Sequence, residues 1–122
     1  MTYQIQITLE DEFLHAYVTG KESLEVFKAY WREISEVCGK RKYKKVLVED
    51  YLERAVSILD LHTFAKTFIQ ETGIPLGTKI ALVMSAEQLD VMMFTENVVS
   101  NWNGVTIKAF TDFHEARHWL LK

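Results

Sequence analysis

The chain has 122 residues, of which 48% are hydrophobic and 25% charged, with a formal net charge of -3 and a pI near 5.8. That balance belongs to one globular domain with a core of its own, and it excludes a disordered chain and the basic footprint of a nucleic-acid binder. The one cysteine, Cys38, excludes an internal disulfide; no apolar run reaches the length of a membrane span, and the opening "MTYQIQITLE" lacks the basic and apolar segments of a secretion signal.

Residues 3–9, "YQIQITL", alternate strictly, with Tyr3, Ile5, Ile7 and Leu9 on one side and Gln4, Gln6 and Thr8 on the other. This predicts a half-buried strand. After "EDE", the stretch "FLHAYVTG" puts Leu14, Ala16 and Val18 on one face, and two strands so close in sequence should pair as an antiparallel hairpin. Leu24, Phe27, Trp31, Ile34 and Cys38 then recur at helical spacing, and Gly39 is the expected stop, with Lys40, Arg41 and Lys42 beside the helix's negative end.

"KVLVE" is short and apolar throughout, which predicts a strand covered on both faces, as in a parallel sheet. The second helix carries Leu61, Phe64, Ala65, Phe68 and Ile69 inward, with Ser57 as its expected cap and Gly73 and Pro75 at its end. "TKIALVM" reads as another buried strand. Ser85 and Gln88 form a capping box that opens a third helix over "AEQLDVMMFTENVVSNWN", residues 86–103, with Gly104 closing it and Trp102 on its inward stripe. "VTIKAF" is the last strand, and Asp112 and Glu115 open a short final helix with Phe113, Ala116, Trp119 and Leu120 inward. The expected fold is therefore α/β: one domain over residues 1–122, with a single-layer mixed sheet of five strands in the order β β α β α β α β α and an antiparallel edge strand.

This order, together with "VTGKESLEVFKAYWREI", "FTENVVSNWNGVTIKAFTD" and "TDFHEARHWLL", resembles STAS-type domains of the SpoIIAA-like family, named after an anti-sigma-factor antagonist of sporulating bacteria. The resemblance covers almost the whole chain. It implies a β/α superhelix and a cytoplasmic regulatory module that works by binding other proteins. Well-known members are switched by phosphorylation of a serine at the start of the second helix, within a pattern of an acidic residue, two serines and a glycine. Here the matching stretch is "SILDLHTF". Asp60 holds the acidic place, Leu61 and His62 stand where the serines would be, and Thr63 stands where the glycine would be, so the usual switch serine is missing.

Ser57 and Thr63 are the hydroxyls left for a displaced phosphorylation, since a helix N-terminus favours phosphate; the bland role of Ser57 is capping. His62 lies one position off the inward stripe and lacks an orienting partner at helical spacing. Glu49, Asp50 and Glu53 gather at the outlet of the third strand, without a carboxylate–histidine spacing that names a reaction. His114 and His118 in "HEARH" match a zinc-binding spacing, but the context gives no third ligand and no metal site is expected. "GKRKYKK" reads as a solvated basic loop facing acidic stretches elsewhere, and Cys38 as a buried inert thiol.

Met92, Met93 and Phe94 are consecutive, and at 100° per residue they span about 200° of a helix, too wide for one core-facing stripe. They are the candidate contact for a protein partner or for a second copy in a homodimer. The leading expectation is a non-enzymatic interaction module without a cofactor. The alternative is a carrier or sensor of a small apolar or anionic ligand, similar in broad fold to Sec14-type lipid-transfer domains, lined by Tyr51, Ser57 and Ser85 at the carboxyl edge of the sheet, with Asp50 a further candidate binding residue. An enzyme working through the carboxylates near Asp50 ranks last.

Overall fold

The computed structural model describes residues 3–21, 24–53, 58–91, 99–102 and 104–122, and not every side chain within them. The chain runs β1 (Tyr3–Leu9), β2 (Leu14–Gly20), α1 (Leu24–Arg41), β3 (Lys45–Leu52), α2 (Ile58–Thr72), β4 (Lys79–Val83), α3 (Ala86–Val91), β5 (Val99–Asn101), β6 (Thr106–Phe110) and α4 (Phe113–Leu121). The strands form one mixed sheet in the order β1-β2-β3-β4-β6-β5. β2, β3, β4 and β6 are parallel neighbours, and β1 lies antiparallel to β2 at one edge. The α/β class, the five expected strands and the antiparallel edge are all present. No helix among the described residues is long and apolar enough to cross a membrane.

Two expectations are corrected. The third helix does not run over residues 86–103: α3 is described over Ala86–Val91, and Val99–Asn101 is a sixth strand, antiparallel to β6. Trp102 and Val105 exchange both backbone hydrogen bonds, at 2.8 and 3.3 Å, and the two residues between them are Asn103 and Gly104. An Asn-Gly pair is the preferred centre of a two-residue hairpin because both positions call for positive φ; Gly104 has φ 100°. Trp102 is nonetheless core, packing its ring on Phe68 at 5.3 Å. The first helix also passes Gly39 and stops two residues later. Lys42 takes the left-handed conformation, φ 60°, and the Tyr43 N–H closes back on the Cys38 carbonyl at 3.2 Å, so a lysine performs the capping turn expected of the glycine.

Side chains from alternate strand positions build two cores. Leu14, Ala16, Val18, Val46, Val48, Ile80, Leu82 and Ile107 meet α1 and α2 on one face. There the rings of Phe27, Trp31, Phe64 and Phe68 interlock edge to face, with Phe27–Phe64 centroids 5.4 Å apart and Trp31–Phe68 5.2 Å. Each such ring contributes on the order of 1.5–3 kcal/mol by burial alone. On the other face, Phe13, Leu47, Ala81, Val83 and Phe110 are covered by Ala116 and Leu120 of α4. The capping expectations for the last two helices hold. Ser85 and Gln88 exchange side-chain-to-backbone hydrogen bonds at 3.2 and 3.4 Å, and Asp112 accepts from the His114 N–H at 2.8 Å.

Replacing Gly104 by Ala puts a Cβ on a positive-φ residue, 2.8 Å from Leu76 Cδ2. Urea unfolding should show a loss of about 1–3 kcal/mol. Adding Leu76→Ala should not restore it, because the exposed Leu76 tip can turn aside while the backbone strain stays.

Candidate functional site

β3 is the strand from which the expected site residues leave, and the period of two sorts them. Val46, Val48, Asp50 and Leu52 point toward α1 and α2, whereas Leu47, Glu49 and Tyr51 point to the opposite face. Asp50 and Tyr51 therefore cannot line one site, and the acidic group at the outlet of β3 is split by the sheet.

Asp50 is 5% exposed. Its Oδ2 accepts from the hydroxyl of Tyr30 on α1 at 2.6 Å, and its Oδ1 accepts from the Leu52 N–H at 3.2 Å. Burial raises its pKa above the ordinary carboxylate value, and the two hydrogen bonds only partly oppose this. Tyr30 is pushed well above the usual phenol range by its own burial and then by the neighbouring carboxylate, so it stays the donor. The pair is a buried strut from α1 to β3, and it is closed to a ligand. Asp50, expected among the binding residues, is thus bonded inside the fold.

The outward face is different. Glu49 Oε2 lies 2.6 Å from His15 Nε2, and its Oε1 accepts from the Tyr51 hydroxyl at 3.0 Å. Tyr51 in turn meets Tyr17 edge-on, centroids 5.3 Å apart. His15 and Tyr17 come from β2, brought beside β3 by a register that pairs His15 with Leu47 and Tyr17 with Glu49. Burial, then the Glu49 hydrogen bond and charge, push Tyr51 up to about 12, so it remains a phenol that donates to the carboxylate. The result is an exposed aromatic pair, Tyr17 42% and Tyr51 38% exposed, of which Tyr51 is held by the Glu49 carboxylate it shares with His15.

Among the described residues, α4 packs on β3, β4 and β6 and touches β2 through Phe113 and His15, ring centroids 5.3 Å apart, while Gln4, Gln6, Thr8 and Tyr17 of that face are exposed. Parallel sheets are ordinarily covered on both faces.

The remaining expected residues do not join it. Ser57 and the run Met92, Met93, Phe94 lie outside the described residues, as does the side chain of His62 in α2. Thr63 is exposed on α2, its hydroxyl donating to the Leu59 carbonyl at 3.1 Å, and Leu59 is itself 75% exposed. Ser85 is exposed and taken up in its capping box, while Gln88 donates onward to the Leu52 carbonyl. His114 and His118 are exposed on α4 beside a groove lined by Lys108, Phe110, Trp119 and Lys122. Among the described residues no three His, Cys, Asp or Glu side chains come together to hold a metal.

The "EDE" loop and the basic loop share one hollow at the opposite end of the sheet, joined by the Tyr43 hydroxyl donating to the Glu10 carbonyl at 2.6 Å. The two charge runs therefore face each other across that hollow. Cys38 is buried, and burial pushes its thiol up to about 11, as expected of an inert core cysteine.

Sequence reasoning missed His15, Tyr17, Tyr30 and the pairing role of Glu49. His15 and Glu49 are 34 positions apart, so only the β2–β3 register brings them together. Comparison of the sequence with models of known protein families gives no match, and comparison with curated proteins gives none either.

A raised folded pKa means that the folded chain holds a proton the unfolded chain releases. The Asp50 contribution to stability is then fully present below the ordinary carboxylate value and is lost as pH rises through the raised one. In urea titrations from about pH 4 upward, the wild type should lose stability relative to Asp50→Asn, with the gap levelling once Asp50 is ionised. Tyr30→Phe should cost about 1–3 kcal/mol at neutral pH, because it strips a buried carboxylate oxygen of its partner.

Proposed function

We propose that the chain is a non-enzymatic, cytoplasmic protein-docking module of the SpoIIAA-like type that lacks the usual phosphorylatable serine and binds its partner on the open side of its sheet. The observation that carries this reading is the Tyr17–Tyr51 pair, both exposed, with Tyr51 bonded to Glu49 and Tyr17 packed edge-on against it. Tyrosines supply large amphipathic contact area at small entropic cost, and such residues dominate binding energy at interfaces. The rim around them is neutral and polar, Gln4, Gln6 and Thr8, which suits a protein surface that must stay wettable when free.

Of the carrier alternative's expected lining, Ser85 is spent on a cap and Ser57 lies outside the described residues, so the exposed tyrosines favour docking. Partner contact through Leu59 at the start of α2 remains compatible with the family resemblance, and it would use the opposite side of the sheet.

A photoreactive residue placed at position 17 or 51 should crosslink a protein partner in the host cell, where one at Thr63 should not. Once that partner is purified, Tyr17→Ala and Tyr51→Ala should each weaken its Kd about tenfold or more with the unfolding midpoint unchanged. Crosslinks from Thr63 alone would move the site to α2 and sink the sheet-face reading.

A further inference from the structure

β1 is an edge strand with none of the usual defences. Edge strands are normally blunted by charge, proline, a bulge or shortness. β1 runs seven residues, Tyr3–Leu9, and contains no charged residue, no proline and no glycine. All seven pair with β2 in unbroken register, so no bulge interrupts it. The edge at the other end of the sheet, β5, is only three residues long. Leu9 adds to the exposure: it shares the face of Tyr3, Ile5 and Ile7, which pack on the α1 core, yet it is 42% exposed.

The direction of the free backbone groups follows from the hairpin. The Glu10 N–H donates to the Phe13 carbonyl at 3.0 Å, so residue 10 directs its backbone at β2. Antiparallel ladders alternate, which turns Gln4, Gln6 and Thr8 the same way and leaves the N–H and C=O groups of Tyr3, Ile5, Ile7 and Leu9 facing outward.

We propose that β1 pairs with β1 of a second copy of this chain, antiparallel about a two-fold axis through Gln6. In that register Ile5 stands opposite Ile7 and Tyr3 opposite Leu9, all on the core face. Gln4 stands opposite Thr8 and Gln6 opposite itself on the open face. Every outward N–H and C=O of the four edge residues finds a partner, because both members of the 3–9 and 5–7 pairs point outward. The strand thus complements itself in backbone groups and in side-chain character, which is what an isologous interface requires. The uncovered Leu9 gains the partner's Tyr3 as its neighbour. The two six-stranded sheets become one, and the axis, perpendicular to the sheet, keeps both open faces on the same side.

The proposal deepens the docking reading by naming a second copy as one partner, but it uses the sheet edge instead of the Tyr17–Tyr51 face. It is tested on the purified full chain alone, by sedimentation velocity over a concentration series. The wild type should be a dimer. Gln6→Lys and Gln6→Glu each put like charges head to head on the axis and should weaken the dimer at least tenfold. Gln6 is exposed, so circular dichroism should show both variants folded. Mixed in equal amounts, they should dimerise again, since Lys then faces Glu.

A wild type that stays monomeric throughout would overturn the proposal. So would a dimer that both variants leave intact, or variants whose mixture stays monomeric. A monomer would leave the Tyr17–Tyr51 reading standing, and failure of that reading would leave the dimer standing.

Discussion

The alternation of side chains along β3 is the constraint on which the molecule depends. β3 has a parallel neighbour on each side, so its backbone is committed on both edges and its register cannot slip without breaking two ladders. One residue of slip would bring Glu49 into the α1–α2 core and expose Asp50. The chain guards against this by giving each acid a partner on another element that only the native register supplies: Tyr30 of α1 for Asp50, and His15 of β2 for Glu49. Buried polar pairs often add little net stability, yet they penalise every arrangement in which they are broken.

The two faces of the sheet are built on different terms. One is sealed by the ring stack between α1 and α2, where Phe27, Trp31, Phe64 and Phe68 leave almost no surface to water. The other carries one helix of nine residues, too short to reach across six strands. α4 is anchored by more than its apolar side: Lys79 donates to the Trp119 carbonyl at 2.8 Å and lies 4.4 Å from the centre of its ring. Burial and the nearby charges of Lys45, Lys122 and Lys108 lower the Lys79 pKa, so the ring and carbonyl help hold a cation in crowded company. With α4 pinned over β4 and its neighbours, it reaches β2 through Phe113 on His15, and among the described residues Gln4, Gln6, Thr8 and Tyr17 stay exposed beyond it.

Local pattern made much of this legible. Strict alternation set the bounds of β1, three- and four-residue spacing marked α1 and α2, and two short capping patterns placed the starts of α3 and α4. Sequence reasoning failed where a local signal had a rival or where contacts were distant. The apolar stretch after Gln88 outweighed the Asn103-Gly104 pair, although that pair is the stronger signal for a hairpin. Gly39 was expected to end α1, but a helix ends where its carbonyls find a closing turn, and Lys42 supplies one. The site was the least legible part. Asp50 and Tyr51 are adjacent in sequence and separated by the sheet, whereas Tyr17 and Tyr51 are far apart in sequence and touch. Deciding between those cases requires the parallel register, which no local pattern encodes.

The single cysteine gives the fold an internal clock. Cys38 lies on the core side of the last turns of α1, fully shielded, with its thiol held at about 11. In the closed molecule it meets a thiol reagent neither sterically nor as a thiolate. Labelling must therefore wait for α1 to lift from the sheet, and its rate under fast-closing conditions measures how often that happens. Since β1, β2 and Tyr30 all lean on the same helix, this one unmodified sulfur reports the loosening of the sheet edge and of the buried Asp50 strut, without any label being engineered into either.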